Sequence, residues 1–380
     1  MKLYIKNRVY SRYRSAVRCD DDLLYDQSVS LEKTAPKMPV AATPPLLISG
    51  FSLNPTPTKW IRSLLVNIRH VLLTKGAEWI GRPFGIRFLN KAETTAYLQA
   101  YHLITHPENT VLLPEVVDLS DPDKVFFTQT TAKTEPVRVW KYISENTNVR
   151  LLPYGGLIVD NRVLCMDTNN DDFYRNILHR RQRKKFHAQT VITPWSHYLD
   201  GFIWGGYYDF LLLLIGKICR IKDALPESVF REAIVAYPLF DTAYEREYLS
   251  LLGIEPERVK DTRTHQITFD QCLLSNVGHW FYPNAADIRL IRKYILAKVP
   301  VEEPLEYNRI YISRAGRRRI LNESELVDLL KAYDFQIIED KPRSVIEQVV
   351  MYQNAQWIIG PHGASFSNIL WCRPGAHLLE

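Results

Sequence analysis

The chain has 380 residues, 46% of them hydrophobic, and a net charge of +6 from 48 basic and 42 acidic side chains. Domains usually contain ~100–200 residues, so this length predicts two or three domains, and the composition excludes a mainly disordered or fibrous protein. The mild positive charge fits an anionic ligand, a nucleic acid, an anionic membrane surface, or solubility alone.

The five cysteines lie far apart and show no CxxC spacing. Their odd number and their spacing disfavour a disulfide framework or a zinc site, so we expect a reducing compartment, the cytoplasm. The basic N-terminal segment lacks the apolar stretch of a secretory signal. The most apolar stretch, 202–218, is too short and interrupted for a spanning helix of ~20 residues and is predicted to be a buried helix with its preceding turn.

Residues 1–108 are predicted to form an irregular and helical leader region. Prolines punctuate residues 36–57, and apolar residues then recur with helical spacing between Trp60 and Leu73. We interpret this stripe, which basic side chains flank, as an ordinary amphipathic helix. A helix on a membrane surface, which would attach the protein peripherally to the inner face of the membrane, is the alternative.

Residues 109–298 are predicted to form an α/β domain that begins with strands. Short apolar or alternating runs between turn residues predict strands at 111–113, 125–127, 137–140 and 156–159. Helix and strand alternate after Tyr198, as in an open parallel sheet. The predicted helices are 207–220, 245–252 and 287–298, and the predicted buried strands are 233–236 and 271–274.

One dense basic run, 179–185, is a candidate for nucleic-acid binding. Phe186 is its only close aromatic residue, and no nucleic-acid fold signature accompanies the run. We therefore interpret the run as an exposed helix and expect no nucleic-acid partner.

Residues 305–380 are predicted to form a Rossmann-like domain, which follows a proline-containing linker at 299–304. Predicted strands at 309–313, 335–338, 357–359 and 376–379 alternate with three helices, and this βαβαβαβ order is half of a doubly wound sheet. Asn322 with Glu325, and Ser344 with Glu347, have the spacing of capping boxes at the starts of the first two helices.

Ligands of such a sheet bind where the carboxyl ends of its strands enter loops. The first such loop, 313–319, contains four arginines, and arginine matches phosphate oxygens bidentately. Arg314 directly follows the strand, whereas Arg317 lies beyond the Gly316 turn. We therefore expect Arg314, and not Arg317, to contact an anion, with a solvated positive loop as the alternative.

The two other loops also carry suitable residues. Ser344 and Glu347 fit a helix cap, and ribose binding by a buried Glu347 carboxylate is the alternative. Loop 360–365 places small residues between a strand and a helix, where backbone N–H groups can face a phosphate. It matches neither GxGxxG nor the Walker motif, so it indicates neither a nicotinamide cofactor nor ATP. His362 belongs either to this site or to a structural hydrogen bond.

Several motifs between Tyr311 and Gly375 together resemble, in order and spacing, family 61 glycosyltransferases, which include bacterial capsular-polysaccharide biosynthesis proteins. Weaker similarity extends back to about residue 190, whereas the residues before about 110 show none. The motifs include Tyr311-Ile312-Ser313-Arg314, Ile358-Ile359-Gly360-Pro361-His362-Gly363-Ala364, Asn368-Ile369-Leu370 and Pro374-Gly375.

This resemblance implies a GT-B fold, in which two Rossmann-like domains face each other across a cleft and the C-terminal one holds most of a nucleotide sugar. It implies transfer of the sugar, with inversion, from a nucleoside-diphosphate donor, expected to be a UDP-sugar, to a hydroxyl of a glycan acceptor. It implies no metal or other cofactor, because positive side chains and a helix N-terminus can stabilise the leaving diphosphate. The expected role is the synthesis of capsular or other cell-surface polysaccharides.

The predicted site combines donor-binding residues with candidates for catalysis. Inverting transfer needs a base near the acceptor hydroxyl. Asp209 is the preferred base because it is the only carboxylate in the apolar stretch 202–218, with a helix cap as its alternative role. His197 and His362 are the other catalytic candidates. The predicted donor-binding residues are Arg314, Arg319, Asn322, Ser344, Glu347, Gln348, Gly360, His362, Gly363, Ala364 and Ser365.

The sequence departs from the family pattern in three ways. Two of them, Asp209 and the stop at Glu380, make a second hypothesis plausible, a non-catalytic relative that binds a nucleotide sugar or a glycan. Ser365-Phe366 stands where a Gly-Leu pair is usual, and Asp209 stands where a histidine is usual. The sequence also stops at Glu380, on the fourth predicted strand of the C-terminal domain, where GT-B enzymes continue through further helices. Release of sugar from a donor distinguishes the two hypotheses.

Overall fold

The computed structural model describes residue 79 and residues 81–380, except 114–115, 119–120, 128–129, 145–147, 168–175, 177–178, 180–181, 196–205, 280, 300–307 and 317. The described residues fall within one compact unit. The predicted helix at 60–73, residues 300–304 of the predicted linker, Arg317 and His197 lie outside the described residues. The division into three regions stays a prediction.

The predicted mixture of helices and strands is confirmed. The first ten strands are β1 (Arg87–Leu89), β2 (His102–His106), β3 (Thr110–Leu113), β4 (Val116–Asp118), β5 (Asp121–Phe127), β6 (Thr130–Lys133), β7 (Val137–Ile143), β8 (Val149–Leu151), β9 (Leu157–Val159) and β10 (Arg162–Leu164). The others are β11 (Lys184–Ile192), β12 (Ile234–Tyr237), β13 (Val259–Asp261), β14 (His265–Ser275), β15 (Arg309–Ile312), β16 (Gln336–Ile338), β17 (Trp357–Ile359) and β18 (His377–Leu379).

The α-helices are α1 (Lys91–Tyr97), α2 (Gly216–Ala224), α3 (Glu227–Glu232), α4 (Ala243–Leu251), α5 (Ala285–Leu296), α6 (Glu323–Lys331) and α7 (Val345–Asn354). A π-helical segment, Asp209–Ile215, runs directly into α2. The 3₁₀ helices are Arg82–Phe84, Gln99–Tyr101, Pro256–Arg258 and Ala364–Trp371. Within the described part of the chain, no helix is both long and apolar enough to cross a membrane.

The larger sheet has six strands in the order β13-β12-β11-β14-β7-β2. Its first four strands are parallel, and β7 and β2 are added in antiparallel pairings. The parallel strands place their carboxyl ends at one edge, as the alternation of helices and strands predicts.

The prediction of an exposed helix at 179–185 is wrong for Lys184 and Lys185, which begin β11. Both lysines are exposed, but their backbones pair with His265 and Gln266 of β14. A strand requires backbone pairing and tolerates long charged side chains that reach solvent at its end, so the charge of this run did not indicate its secondary structure. Arg183 donates hydrogen bonds to the carbonyl oxygens of Leu151 (3.3 Å) and Thr262 (3.2 Å).

The predicted buried helix is confirmed from Phe210 to Ile218, whereas Gly206 is exposed and residues 207–209 are partly buried. Every side chain from Phe210 to Ile215 is buried in the π-helical segment, and α2 continues it along the sheet and against α5. π-Helical segments are uncommon, and they occur frequently at functional sites.

A fully buried ion pair holds α2 to the carboxyl-end side of the large sheet. Lys217 Nζ lies 2.7 Å from Asp167 Oδ2, and both side chains have no exposed surface. Lys217 Nζ also donates to the carbonyl oxygen of Trp195 (2.6 Å), and the Val277 N–H donates to Asp167 Oδ1 (2.6 Å). Burial lowers the pKa of Lys217, and the neighbouring Asp167 charge opposes that shift.

A second buried ion pair lies one turn further along α2. The Arg220 guanidinium meets the Asp287 carboxylate at 2.8 and 3.1 Å. Its remaining donors reach Ser275 Oγ (2.6 Å) and the carbonyl oxygen of Asn276 (2.8 Å), at the end of β14. Every partner is a group that would otherwise be costly to bury, so this cluster fixes α2, α5 and β14 together.

The C-terminal sheet has four parallel strands in the order β16-β15-β17-β18, which confirms the predicted βαβαβαβ arrangement. Helices α6 and α7 and the 3₁₀ helix Ala364–Trp371 are its connections. Its side chains Ile310 and Ile358 join the same hydrophobic core as the large sheet.

One predicted capping box is confirmed and the other is wrong. At α7, the Glu347 N–H donates to Ser344 Oγ (3.1 Å) and the Ser344 N–H donates to Glu347 Oε2 (2.7 Å). At α6, Asn322 precedes the helix, but its side chain accepts no capping hydrogen bond. The Asn322 backbone (φ −103°, ψ 42°) lacks the extended conformation that aims an N-cap side chain at the helix.

Candidate functional site

The candidate site lies at the carboxyl edge of the C-terminal sheet. Because β15 and β17 are parallel neighbours, the loops that follow them lie side by side. We call these the arginine loop (313–319) and the 360–365 loop. Arg314 Nη1 donates a hydrogen bond to the carbonyl oxygen of His362 at 2.8 Å. The structure therefore brings these two predicted loops together through Arg314.

The glycines of the 360–365 loop make room for these contacts. A Cβ atom added to Gly363 would overlap Arg314 Nη1, so only glycine accommodates this placement of the guanidinium. A Cβ atom on the buried Gly360 would lie 3.0 Å from the carbonyl oxygen of Ile312 and 3.2 Å from the Phe366 ring. Gly360 therefore allows β15, β17 and Phe366 to pack closely.

The residues of the 360–365 loop other than its glycines are exposed or partly buried. The His362 side chain is exposed, and its Nδ1 contacts the carboxylate of Glu380. Ala364 is exposed as well. Ser365 is partly buried, and its carbonyl oxygen accepts a hydrogen bond from the Tyr352 hydroxyl (3.1 Å). This hydrogen bond holds the start of the 3₁₀ helix against α7.

The arginine loop is fixed at its start and exposed further on. The Ala315 N–H donates to Asp340 Oδ2 (2.9 Å), which follows the neighbouring strand β16. Arg318 and Arg319 are exposed. Asp340 is a residue that sequence reasoning missed, although its position two residues after a strand was the available signal.

The predicted site residues of the second loop form hydrogen bonds within the fold, at the start of α7. Hydrogen bonds from the backbone and side chain of Ser344 lower the pKa of the Glu347 carboxyl, which is exposed and not buried. Gln348 Nε2 donates to the carbonyl oxygen of Arg343 (3.2 Å), and Gln348 Oε1 accepts from Asn368 Nδ2 (2.9 Å). These hydrogen bonds of Ser344, Glu347 and Gln348 are internal to the fold and support its helices.

Asp209 lies at the start of the π-helical segment, and that helix contacts the C-terminal part of the chain. The Tyr207 hydroxyl donates to Asn368 Oδ1 at 2.7 Å, and Asn368 belongs to the 3₁₀ helix that follows the 360–365 loop. Burial, and secondly the Asp209 charge, raise the pKa of Tyr208 to about 12. The start of this helix therefore lies close to the 3₁₀ helix that follows the 360–365 loop.

Sequence reasoning assigned no role to Tyr207 or Asn368. The two residues are 161 positions apart, and no local pattern relates them. Asn368 belongs to a motif of the family resemblance, but that signal did not reveal that the two residues touch.

The described residues hold no group of three or more His, Cys, Asp or Glu side chains that could bind a metal ion. Cys219, Cys272 and Cys372 are free thiols. Burial raises the pKa of Cys272 to about 12, so this thiol stays protonated at neutral pH.

One protein-family model, described as Glycosyltransferase 61, matches residues 100–379. The match covers the six-stranded sheet, the helix that begins near Asp209 and the whole C-terminal sheet. A comparison with curated proteins finds no match.

Proposed function

This chain belongs to the glycosyltransferase 61 family, and we propose that it transfers a sugar, with inversion, from a nucleoside-diphosphate sugar to a glycan hydroxyl. The strongest support is the Arg314 guanidinium, which lies against Gly363 at the carboxyl edge of the C-terminal sheet. A GT-B arrangement, a UDP-sugar donor, catalysis without a metal and a role in cell-surface polysaccharide synthesis belong to the same proposal.

In this proposal the donor diphosphate lies over the 360–365 loop. Arg314 supplies a permanent positive charge, and the backbone N–H groups at the start of the 3₁₀ helix Ala364–Trp371 supply further donors. Negative charge grows on the diphosphate as the bond to the sugar breaks. Groups already held in place, such as Arg314 through the His362 carbonyl, stabilise that charge without reorganising.

Inversion places the base and the leaving group on opposite sides of the sugar. Within this proposal His362 belongs to the diphosphate side, because it is part of the 360–365 loop. Asp209 belongs to the acceptor side, because it begins a separate helix that meets the C-terminal part through Tyr207. Asp209 is thus the proposed base, and His197 is the reserve candidate.

A ligand screen by thermal shift tests the proposal, with UDP-, GDP-, CMP- and dTDP-sugars as probes. A bound ligand at one hundred times its Kd stabilises a protein by ~2.7 kcal/mol, so we expect one nucleotide class to raise the melting temperature clearly. No stabilisation by any of these probes would contradict the proposal. Stabilisation without release of nucleotide would support the second hypothesis, a non-catalytic relative.

The substitution Gly363→Val is expected to lower donor affinity while the fold survives. The new side chain displaces the flexible end of Arg314 and fills the space where backbone approaches phosphate. The backbone at Gly363 (φ 179°) is extended and accepts any residue. Isothermal titration with the nucleotide from the screen measures the affinity, and we expect at least a tenfold loss, or ~1.4 kcal/mol.

Gly316→Ala is the matched control, since a Cβ atom at Gly316 meets nothing within 4 Å. Both variants should keep the wild-type melting temperature. Wild-type nucleotide affinity in a folded Gly363→Val variant would refute this donor placement.

Arg314→Ala is expected to weaken nucleotide binding by about ten- to a hundredfold. Removing a charge-assisted hydrogen bond from a partly dry site costs ~1.5–3 kcal/mol. Arg309→Ala is the control, because Arg309 lies at the opposite end of the same strand and donates to the carbonyl oxygen of Tyr333. Equal losses of affinity in the two variants would show that Arg314 contributes only general positive charge.

A further inference from the structure

A buried hydrogen-bond network connects the helix that carries Asp209 with the 3₁₀ helix that follows the 360–365 loop. Asn368 is its centre: Asn368 Oδ1 accepts from the Tyr207 hydroxyl (2.7 Å) and from Trp371 Nε1 (3.0 Å). Asn368 Nδ2 donates to Gln348 Oε1 (2.9 Å), and the Tyr207 and Tyr248 hydroxyls are 2.6 Å apart.

The Trp371 indole determines which group donates and which accepts in each hydrogen bond of this network. An indole N–H can only donate, so Trp371 requires that the oxygen of the Asn368 amide faces it. The same oxygen then accepts the single hydroxyl proton of Tyr207. The Tyr248 hydroxyl must therefore donate to the Tyr207 oxygen.

The network is well buried and joins four elements. Asn368 is 1% exposed, and both Trp371 and Tyr248 have no exposed surface. The four elements are the start of the helix at 207, α4 through Tyr248, α7 through Gln348, and the 3₁₀ helix. Polar groups at this depth are costly to leave unpaired, so the network holds one arrangement in preference to others.

We propose that Tyr207 is a positioning residue. Its hydroxyl group holds Asp209 at the correct distance from the sugar that the 360–365 loop binds. The inference rests on the proposed function, since Asp209 is its base. Tyr207 is two residues before Asp209, and its partner Asn368 is five residues after Gly363. The hydrogen bond between them thus connects the helix that carries Asp209 to the 3₁₀ helix that follows the 360–365 loop.

The variant Tyr207→Phe tests this role. A misplacement of about 1 Å in a reacting group costs ~10²-fold in rate, so we expect kcat to fall by roughly ten- to a hundredfold. The donor KM should change less than about twofold, because Arg314 and the 360–365 loop stay in place. The assay follows release of nucleotide from the sugar nucleotide that stabilises the wild type most.

Tyr294→Phe is the control. The Tyr294 hydroxyl donates to Asp223 Oδ1 (2.8 Å), outside the network. The variant removes a tyrosine hydroxyl that does not touch the network, so it should leave kcat and the donor KM near the wild-type values. An equal fall of kcat in Tyr294→Phe and Tyr207→Phe would overturn the proposal in favour of general packing.

The double variant Tyr207→Phe/Asp209→Asn separates this proposal from the proposed function. If Tyr207 acts through Asp209, its removal costs nothing further once Asp209 is neutral, so the two effects on kcat should not add. Additive effects, or normal kcat in Tyr207→Phe alongside a large loss in Asp209→Asn, would overturn only the positioning role. Normal kcat in Asp209→Asn would overturn both that role and the proposed base.

Discussion

Replacing Asp209 with asparagine is expected to lower the rate of sugar transfer by ~10²–10⁴-fold, because a positioned general base contributes about that much. Asparagine keeps the shape of the side chain but cannot take the proton of the acceptor hydroxyl at neutral pH. Donor affinity and melting temperature should therefore stay close to their wild-type values. Steady-state kinetics, titration calorimetry and thermal melting of the same preparation measure the three quantities.

Asp223→Asn supplies the control, since Asp223 lies in the last turn of α2, at the other end of the same continuous helical segment. Asp223 accepts hydrogen bonds from Lys293 Nζ (2.7 Å) and the Tyr294 hydroxyl (2.8 Å). This control should leave the transfer rate unchanged. Near-normal turnover in Asp209→Asn would eliminate Asp209 as the base and direct attention to His197. A large fall of its melting temperature would support the helix-cap role.

Replacing Lys217 with methionine is expected to reduce the free energy of unfolding by ~3–5 kcal/mol, because it leaves the Asp167 carboxylate buried without its partner. The substitution also removes the hydrogen bond from Lys217 to the carbonyl oxygen of Trp195. At ~2 °C per kcal/mol, the low end of the range for larger domains, the melting temperature should fall by about 6–10 °C. Differential scanning calorimetry measures this fall.

Two further variants identify the cause of that loss. Lys217→Met/Asp167→Asn should be more stable than Lys217→Met alone, since the neutral amide keeps an acceptor for the Val277 N–H and leaves no buried charge. Arg87→Met breaks an exposed pair with Glu93 (2.6 Å) and should cost only ~0–1 kcal/mol. Equal stability of the single and double Lys217 variants would show that the buried charge is not the cause.

Local patterns predicted the parts of the fold that local interactions determine. The four strands of the C-terminal sheet and the Ser344–Glu347 capping box were predicted from spacing alone, because strand alternation and helix caps involve residues within a few positions of each other. The same reasoning failed at Asn322, where the residue type fits a cap but the backbone conformation does not. It also failed at Lys184 and Lys185, whose place in a strand depends on pairing with the distant β14.

The interactions that organise the candidate site lie beyond the reach of such patterns. Lys217 and Asp167 are charged residues 50 positions apart, and nothing local shows that they are buried together. Tyr207 and Asn368 meet only because the chain topology places two helices side by side. The placement of the arginine loop and the 360–365 loop at the carboxyl ends of their strands was predicted, by contrast, because parallel strands end at one edge of the sheet.

A structure determined with UDP bound would test the donor placement most directly. We expect diphosphate oxygens within hydrogen-bonding distance, ~2.7–3.2 Å, of the Arg314 guanidinium and of backbone N–H groups between Gly363 and Ser365. A diphosphate bound at the six-stranded sheet, away from an unchanged 360–365 loop and Arg314, would contradict the proposed site.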